Sequence, residues 1–366
     1  MTKEGTRREK LFLFCSVVAL VLGLRYSELC AEGVRYGIEL SLNKLIPSLF
    51  PFMVIAEIIL STNACHILSR LFAKPFFRVF KISGEGALPF LLGMLFGFPI
   101  GIKSAITLYE SGKIDESELC RLSLFTSIPS PAFFISAVGE GLFGSARLGV
   151  LIYLIALLGS VLIGVLCRSA FADLKGVYCA TKKQSLRASG VSLASAVTSS
   201  ATSLISISAF VVFFSMVSEV LKHFLDLLPL SKVLEVCLLG SLEMTGGAAL
   251  ASTLGANGAP LAAAILGFSG ISVLCQLVSI CKGHNLPIIP YIFSKLFLAG
   301  IEFLLAFAAT RLFPSLLNIT SPSAPSFLLY REGGVSCALL AFFVCACFGA
   351  LLERKRIFFG KTIYKR

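Results

Sequence analysis

Gly93-Met-Leu-Phe-Gly97-Phe-Pro99-Ile-Gly101-Ile-Lys103-Ser-Ala-Ile-Thr107 lies within an apolar segment running from Gly86 to Tyr109. Glycines at 93, 97 and 101 recur every fourth residue and let helices approach closely. Pro99 removes a backbone donor and is expected to interrupt the helix. Lys103 follows one turn later with no acid beside it in sequence. A broken helix carrying a lone cation is costly in hydrocarbon unless both face a cavity. Membrane carriers build substrate sites at such breaks. The plainer alternative is a kinked packing seam with a lysine reaching the interface.

The surrounding chain is a membrane protein by composition. Of 366 residues 56% are hydrophobic and 14% charged, where a soluble domain averages about 25% charged. The net charge of +12 invites a nucleic-acid reading, but the basic residues sit at span ends, as topology signals do. Twelve cysteines lie mostly in apolar segments and read as small buried hydrophobes. His66, His223 and His284 are far apart, so no metal or other cofactor is expected.

Working outward, residues 1–30 read as a basic N-terminus and a first span. Residues 31–168 form a first repeat. Within it, 68–81 places Arg70, Lys74, Arg78 and Lys81 among phenylalanines at helical spacing, a basic helix on the membrane surface. Residues 169–187 are a basic loop and 188–312 a second repeat. Residues 313–334 are a Pro/Ser-rich loop, and 335–366 hold a last span and a basic tail.

The copies match in the order of their elements. The segment with Gly93, Gly97 and Pro99 pairs with that containing Gly240, Glu243, Gly246 and Gly247. Ser127-Ile-Pro129-Ser130-Pro131 pairs with Gly267-Phe-Ser269-Gly270-Ile-Ser272, and the clean span 146–167 with 288–312. Basic ends and a basic central loop put both termini in the cytoplasm and invert the second copy against the first. The expected fold is therefore an all-α polytopic membrane protein, an inverted repeat with interrupted or re-entrant helices.

The candidate substrate residues follow. Gly97 and Pro99 open the break, and Lys103 and Thr107 continue its face. Free N–H groups at a restarted helix, together with a cation, bind anions. Glu243 beside Thr245 is mid-segment, where an acid needs a partner or a proton; it can bind a coupling cation, carry a proton or neutralise Lys103. Ser269, Ser272, Gln276 and Ser279 form a polar stripe, with Ser127 and Ser130 in the matching place. Ser192, Ser195, Ser199, Thr202 and Ser206 share a face that reads as packing, and Glu57, Glu219 and Glu302 read as structural. Gly267-Phe-Ser269-Gly270 fits the G-x-S-G of rhomboid-type proteases, but the nearby His284 lies in a polar loop, so no enzyme is expected.

These residues resemble a family. Gly93-x-x-x-Gly97-Phe-Pro99-x-Gly101-x-Lys103 with Leu108-Tyr-Glu-x-Gly-x-Ile114 looks like the first signature of the YlbJ-type sporulation integral membrane proteins. Leu242-Glu-Met-Thr245-Gly246 and Gly267-Phe-Ser-Gly-x-Ser-x-x-x-Gln276 look like the second. The likeness covers residues 40 to 312 and departs at residues 127–131 and in cysteine content. It implies the nucleoside-recognition (Gate) group, related in arrangement to concentrative nucleoside transporters. It further implies an outer forespore membrane and movement of dipicolinic acid from mother cell toward forespore. The expected partners are a small organic anion and the bilayer, with no nucleic acid. A coupling proton or sodium ion and a homo-oligomer are left open. A nucleoside carrier and a non-transporting protein of spore assembly are the rivals.

Overall fold

The computed structural model describes residues 13–14, 16–18, 20–61, 64–171, 193–284 and 286–313. Among these there is no strand. The N-terminal ten residues, most of the basic loop, the loop after Phe313, the last span and the tail lie outside the described residues.

Helix α1 (Ser27–Leu40) runs through a π-helical turn, Ser41–Leu45, into α2 (Ile46–Ser61). Helix α3 (Ala64–Phe80) is the basic stretch. Its Phe76 and Phe80 are buried, with ring centroids 5.6 Å and 5.8 Å from Phe90, while Arg70, Leu71, Lys74, Phe77 and Arg78 are exposed. One face of α3 is thus pinned to the bundle and the other keeps its cations and apolar groups outward, as a surface helix requires.

Then come α4 (Ala87–Phe96), α5 (Phe98–Glu110), α6 (Glu116–Phe125) and α7 (Phe133–Glu140, wound as a π-helix and continued by Gly141–Phe143). The long α8 (Ala146–Leu166) closes this half. The second half is α9 (Leu193–Asp226), α10 (Lys232–Leu242), α11 (Met244–Ser252), α12 (Ala259–Phe268), α13 (Gly270–Ile280) and α14 (Ile288–Leu312). The same order therefore occurs twice: a broken helix (α4/α5, then α10/α11), a second broken helix (α6/α7, then α12/α13), and an unbroken one (α8, then α14).

Ala146–Leu166, Leu193–Asp226, Gly255–Ile280 and Ile288–Leu312 are long and apolar enough to cross a membrane. On α8 the exposed Val150, Leu154, Leu158 and Leu162 recur every fourth residue, a lipid-facing stripe. Its opposite face buries Leu148, Ile152, Ile155 and Ile163. The fold is thus an all-α polytopic membrane protein.

Two local expectations change. The first break is made by Gly97, whose φ of 96° only glycine adopts readily, and Pro99 starts the next helix instead of ending the last. On α9 the packing face is Ala196, Ser200, Leu204, Ile207 and Val211, while Ser195, Thr202 and Ser206 are exposed. The apolar residues claim the interior and turn most hydroxyls away; Ser192 lies outside the described residues.

Candidate functional site

Among the described residues helices are interrupted at four places, and three of the restarted helices border one crevice. Helix α5 begins after Gly97, which receives no side-chain cap. Helix α7 begins after Pro129 and Ser130; the Ser130 hydroxyl accepts from Phe133 N at 3.3 Å. Helix α11 begins at Glu243, whose carboxylate accepts from Thr245 N at 2.9 Å and Gly246 N at 2.6 Å. The crevice is lined by Gly97, Phe98, Pro99, Pro129, Ser130, Phe133, Glu243, Met244, Thr245 and Gln276. Leu45, Leu49, Ile207, Val211 and Val273 complete the wall. It is narrow, with about 460 Å³ between atoms counting its open mouth.

This geometry has a chemical bias. A helix start carries unpaired N–H groups and a partial positive charge. Here most of those N–H groups are taken: Pro99 has none, Ile100 N donates to the Gly97 carbonyl at 3.2 Å, Phe133 N donates to Ser130, and the α11 start already holds an anion, the Glu243 carboxylate. What the crevice keeps for another negative group is the partial positive charge of the helix ends. The walls between them are apolar and partly aromatic. Gln276 is 3% exposed, donates to the Ser272 hydroxyl at 3.2 Å, and keeps its Oε1 without a partner among the described residues.

Sequence-derived candidates divide among three places. Gly97, Pro99, Ser130, Glu243, Thr245 and Gln276 line the crevice, and Ser272 stands behind Gln276. Ser127 and Ser269 meet elsewhere: the Lys295 ammonium donates to the Ser127 carbonyl and, at 3.5 Å, to the Ser269 hydroxyl. Ser279 is exposed.

Lys103 is in neither group. It ion-pairs with Glu57 and donates to the Ser199 hydroxyl at 2.7 Å, and Ser199 in turn donates to Glu57 at 2.8 Å. Of the three roles left open for Glu243, neutralising Lys103 is not the one seen, because Lys103 pairs with Glu57. Helices α2, α5 and α9 bring the two charges together, whereas the Glu243 carboxylate is turned onto its own helix start. Thr107 is exposed and bonds back to the Lys103 carbonyl at 3.0 Å. Met53, Ala56, Glu57, Ile100, Lys103 and Ser200 line a smaller cavity. It lies on the same α2–α5–α9 seam as the crevice, one turn along α5 from Pro99.

Sequence reasoning passed over Lys295 and read Glu302 as structural. They are 2% and 0% exposed in the middle of α14. The available signal was a lysine and a glutamate seven residues apart inside one apolar span.

Residues 42–146 match the family described as nucleoside recognition (Gate). The chain is 28% identical over 322 residues to the sporulation integral membrane protein YlbJ of Bacillus subtilis (strain 168), covering 78% of this chain and 77% of that one. No solved structure matches significantly. The family match and the relative together support a YlbJ-type assignment.

Proposed function

We propose that this YlbJ-type chain is a sporulation membrane protein that transports a small organic anion, dipicolinate, from the mother cell toward the forespore. The observation that carries the reading is the convergence of the α5, α7 and α11 starts on one crevice. Dipicolinate is a flat ring with a carboxylate on either side. Its ring suits the Phe98, Phe133, Leu49 and Val273 walls. Its carboxylates suit the helix starts, the Ser130 and Thr245 hydroxyls and the Gln276 amide. In this reading the α5 and α11 breaks are the points at which the segments hinge.

Glu243 has a defined part in this reading. Its carboxylate takes the Thr245 and Gly246 N–H groups. A substrate carboxylate competes for the same donors, so loading requires Glu243 to turn away or to be neutral. Lys103, one turn from Pro99, offers the next cationic station along the seam once it leaves Glu57. On this reading the protein sits in the outer forespore membrane with both termini cytoplasmic, and the two halves act as inverted copies about the crevice.

The Gate description favours one rival, a nucleoside substrate. Ligand-dependent thermal unfolding of the purified protein separates the two, because a ligand that binds only the folded state raises Tm. Dipicolinate is expected to raise Tm, with benzoate weaker and uridine or adenosine without effect. A rise with nucleosides alone would replace dipicolinate with the rival. A protein stabilised by neither would favour a role in spore assembly without transport.

A further inference from the structure

Helix α14 buries two opposite charges that the crevice does not use. Lys295 and Glu302 are seven residues apart, two turns of one helical face. Lys295 spans two chain breaks: its ammonium donates to the Ser127 carbonyl between α6 and α7, and to the Ser269 hydroxyl between α12 and α13. Its neighbour Ser294 donates to the Leu124 carbonyl at 3.2 Å, docking α14 to the end of α6. One ammonium therefore holds together the two breaks that flank the α14 face.

Glu302 has no such arrangement. Both carboxyl oxygens are buried without a hydrogen-bond partner among the described residues. The carboxyl group lies over Gly267, where a Cβ would come within 2.9 Å of its carbon. Lys295, two turns away on the same helix, is the charged side chain that acts on it electrostatically. Helix α12 carries no titratable side chain. Helix α8 brings Arg147 on its exposed first turn, and Tyr153, whose hydroxyl donates to the Met94 carbonyl at 3.0 Å. Helix α6 brings Glu116, Glu118, Cys120 and Arg121; Ser83 holds Glu118, and the Lys81 and Arg168 carbonyls hold Arg121. Tyr291 lies on α14 itself, its ring 5.6 Å from the Lys295 ammonium. An ionised carboxylate without a donor is the costly state in such a place, and a neutral acid the cheap one.

We propose that Glu302 carries the coupling proton of the transport cycle, and that Lys295 is the arm its charge moves. This rests on the transport reading above. With Glu302 protonated, the ammonium stays on Ser127 and Ser269 and the two breaks are held. When the carboxyl O–H gives its proton to water, the carboxylate attracts the ammonium more strongly than a neutral carbonyl does. The two Cα atoms lie about 10 Å apart along the axis, so the carboxylate pulls on the ammonium across the low-dielectric interior and not through a contact along the helix face. The ammonium leaves Ser127 and Ser269, and the α6/α7 and α12/α13 breaks are free to move. Reprotonation from the other side reverses the step, so one proton is carried per cycle.

The test is infrared difference spectroscopy on the full chain in lipid bilayers, which needs no substrate. Wild type is expected to contain a protonated-carboxyl stretch at neutral pH that is lost in alkaline buffer. The band should be absent from Glu302→Gln and shifted in Glu302→Asp. In liposomes, an imposed pH gradient should accelerate dipicolinate uptake by wild type and by Glu302→Asp, and the acceleration should be lost in Glu302→Gln while dipicolinate exchange persists. An ionised Glu302 at neutral pH, a band that never titrates, or a Glu302→Gln protein that still follows the pH gradient would overturn the proposal. So would uptake that follows a sodium gradient and ignores pH. A titrating Glu302 in a protein that moves no dipicolinate would support the proton site and overturn the substrate.

Discussion

Glu243 is an acid in an apolar segment, and its role follows from what its oxygens touch. They accept the N–H groups of the second and third residues of α11, Thr245 and Gly246, as a helix cap does. Replacing the carboxylate by the neutral amide in Glu243→Gln weakens the cap by about 1 kcal/mol, which unfolding in detergent should register. The same change removes a negative charge from the crevice proposed to take an anion. Dipicolinate should therefore bind Glu243→Gln more tightly, by about tenfold if the repulsion removed is near 1.4 kcal/mol, as titration calorimetry would measure. The Lys103–Glu57 pair is different in kind. The two side chains are 35% and 22% exposed, so their coupling is worth about 1 kcal/mol or less. A double-mutant cycle of Lys103→Ala and Glu57→Ala should return a coupling of that size, with the double variant no less stable than either single one. Sequence alone supplied both residues but not the pairing, since 46 residues separate them and Ser199 is a further 96 along.

At the level of elements, what the sequence made legible was that helices break, and roughly where. Glycines, prolines and a stranded acid mark all four interruptions. The atom that makes each break was not legible, because it depends on neighbours far along the chain. Pro99 looked like the breaker, yet Gly97 adopts the left-handed backbone, and a Cβ there would lie 3.2 Å from Ser130 N. Gly97→Ala should cost about 1–3 kcal/mol in backbone strain and narrow the crevice, giving a lower Tm and weaker dipicolinate binding together. Gly247→Ala should be worse. Its Cβ would fall 2.2 Å from the Gly240 Cα, so α10 and α11 could not stay packed; the expected outcome is loss of folded protein on size-exclusion chromatography. Ser269, at a φ of 69°, is the non-glycine member of this set. Its strained backbone places the hydroxyl beside Lys295, a partner 26 residues away that periodicity cannot reveal.

For the whole molecule, composition and hydropathy were enough to read an all-α polytopic membrane protein. Of the crevice lining, Gly97, Ser130 and Glu243 at three breaks and Pro99, Thr245 and Gln276 on three helices were singled out from sequence. Lys103 does not reach the crevice, because its stem points along the seam toward Glu57. Helix α3 lies at the periphery, and its exposed Arg70, Lys74 and Arg78 beside Leu71 and Phe77 suit an anionic lipid surface. Changing Lys74 and Arg78 to glutamate should reduce co-purifying anionic lipid and leave Tm unchanged, since neither side chain is buried. On the transport reading, the crevice between the α5, α7 and α11 starts carries an anion across the bilayer. The most direct measurement of that is dipicolinate entry into terbium-loaded liposomes by wild type and by Gln276→Leu. That substitution keeps the volume and removes the amide from a buried site. Wild type should load the vesicles, and Gln276→Leu should do so about tenfold more slowly at unchanged Tm. Folded wild type that admits no dipicolinate under any imposed gradient, or a Gln276→Leu protein as fast as wild type, would contradict the account.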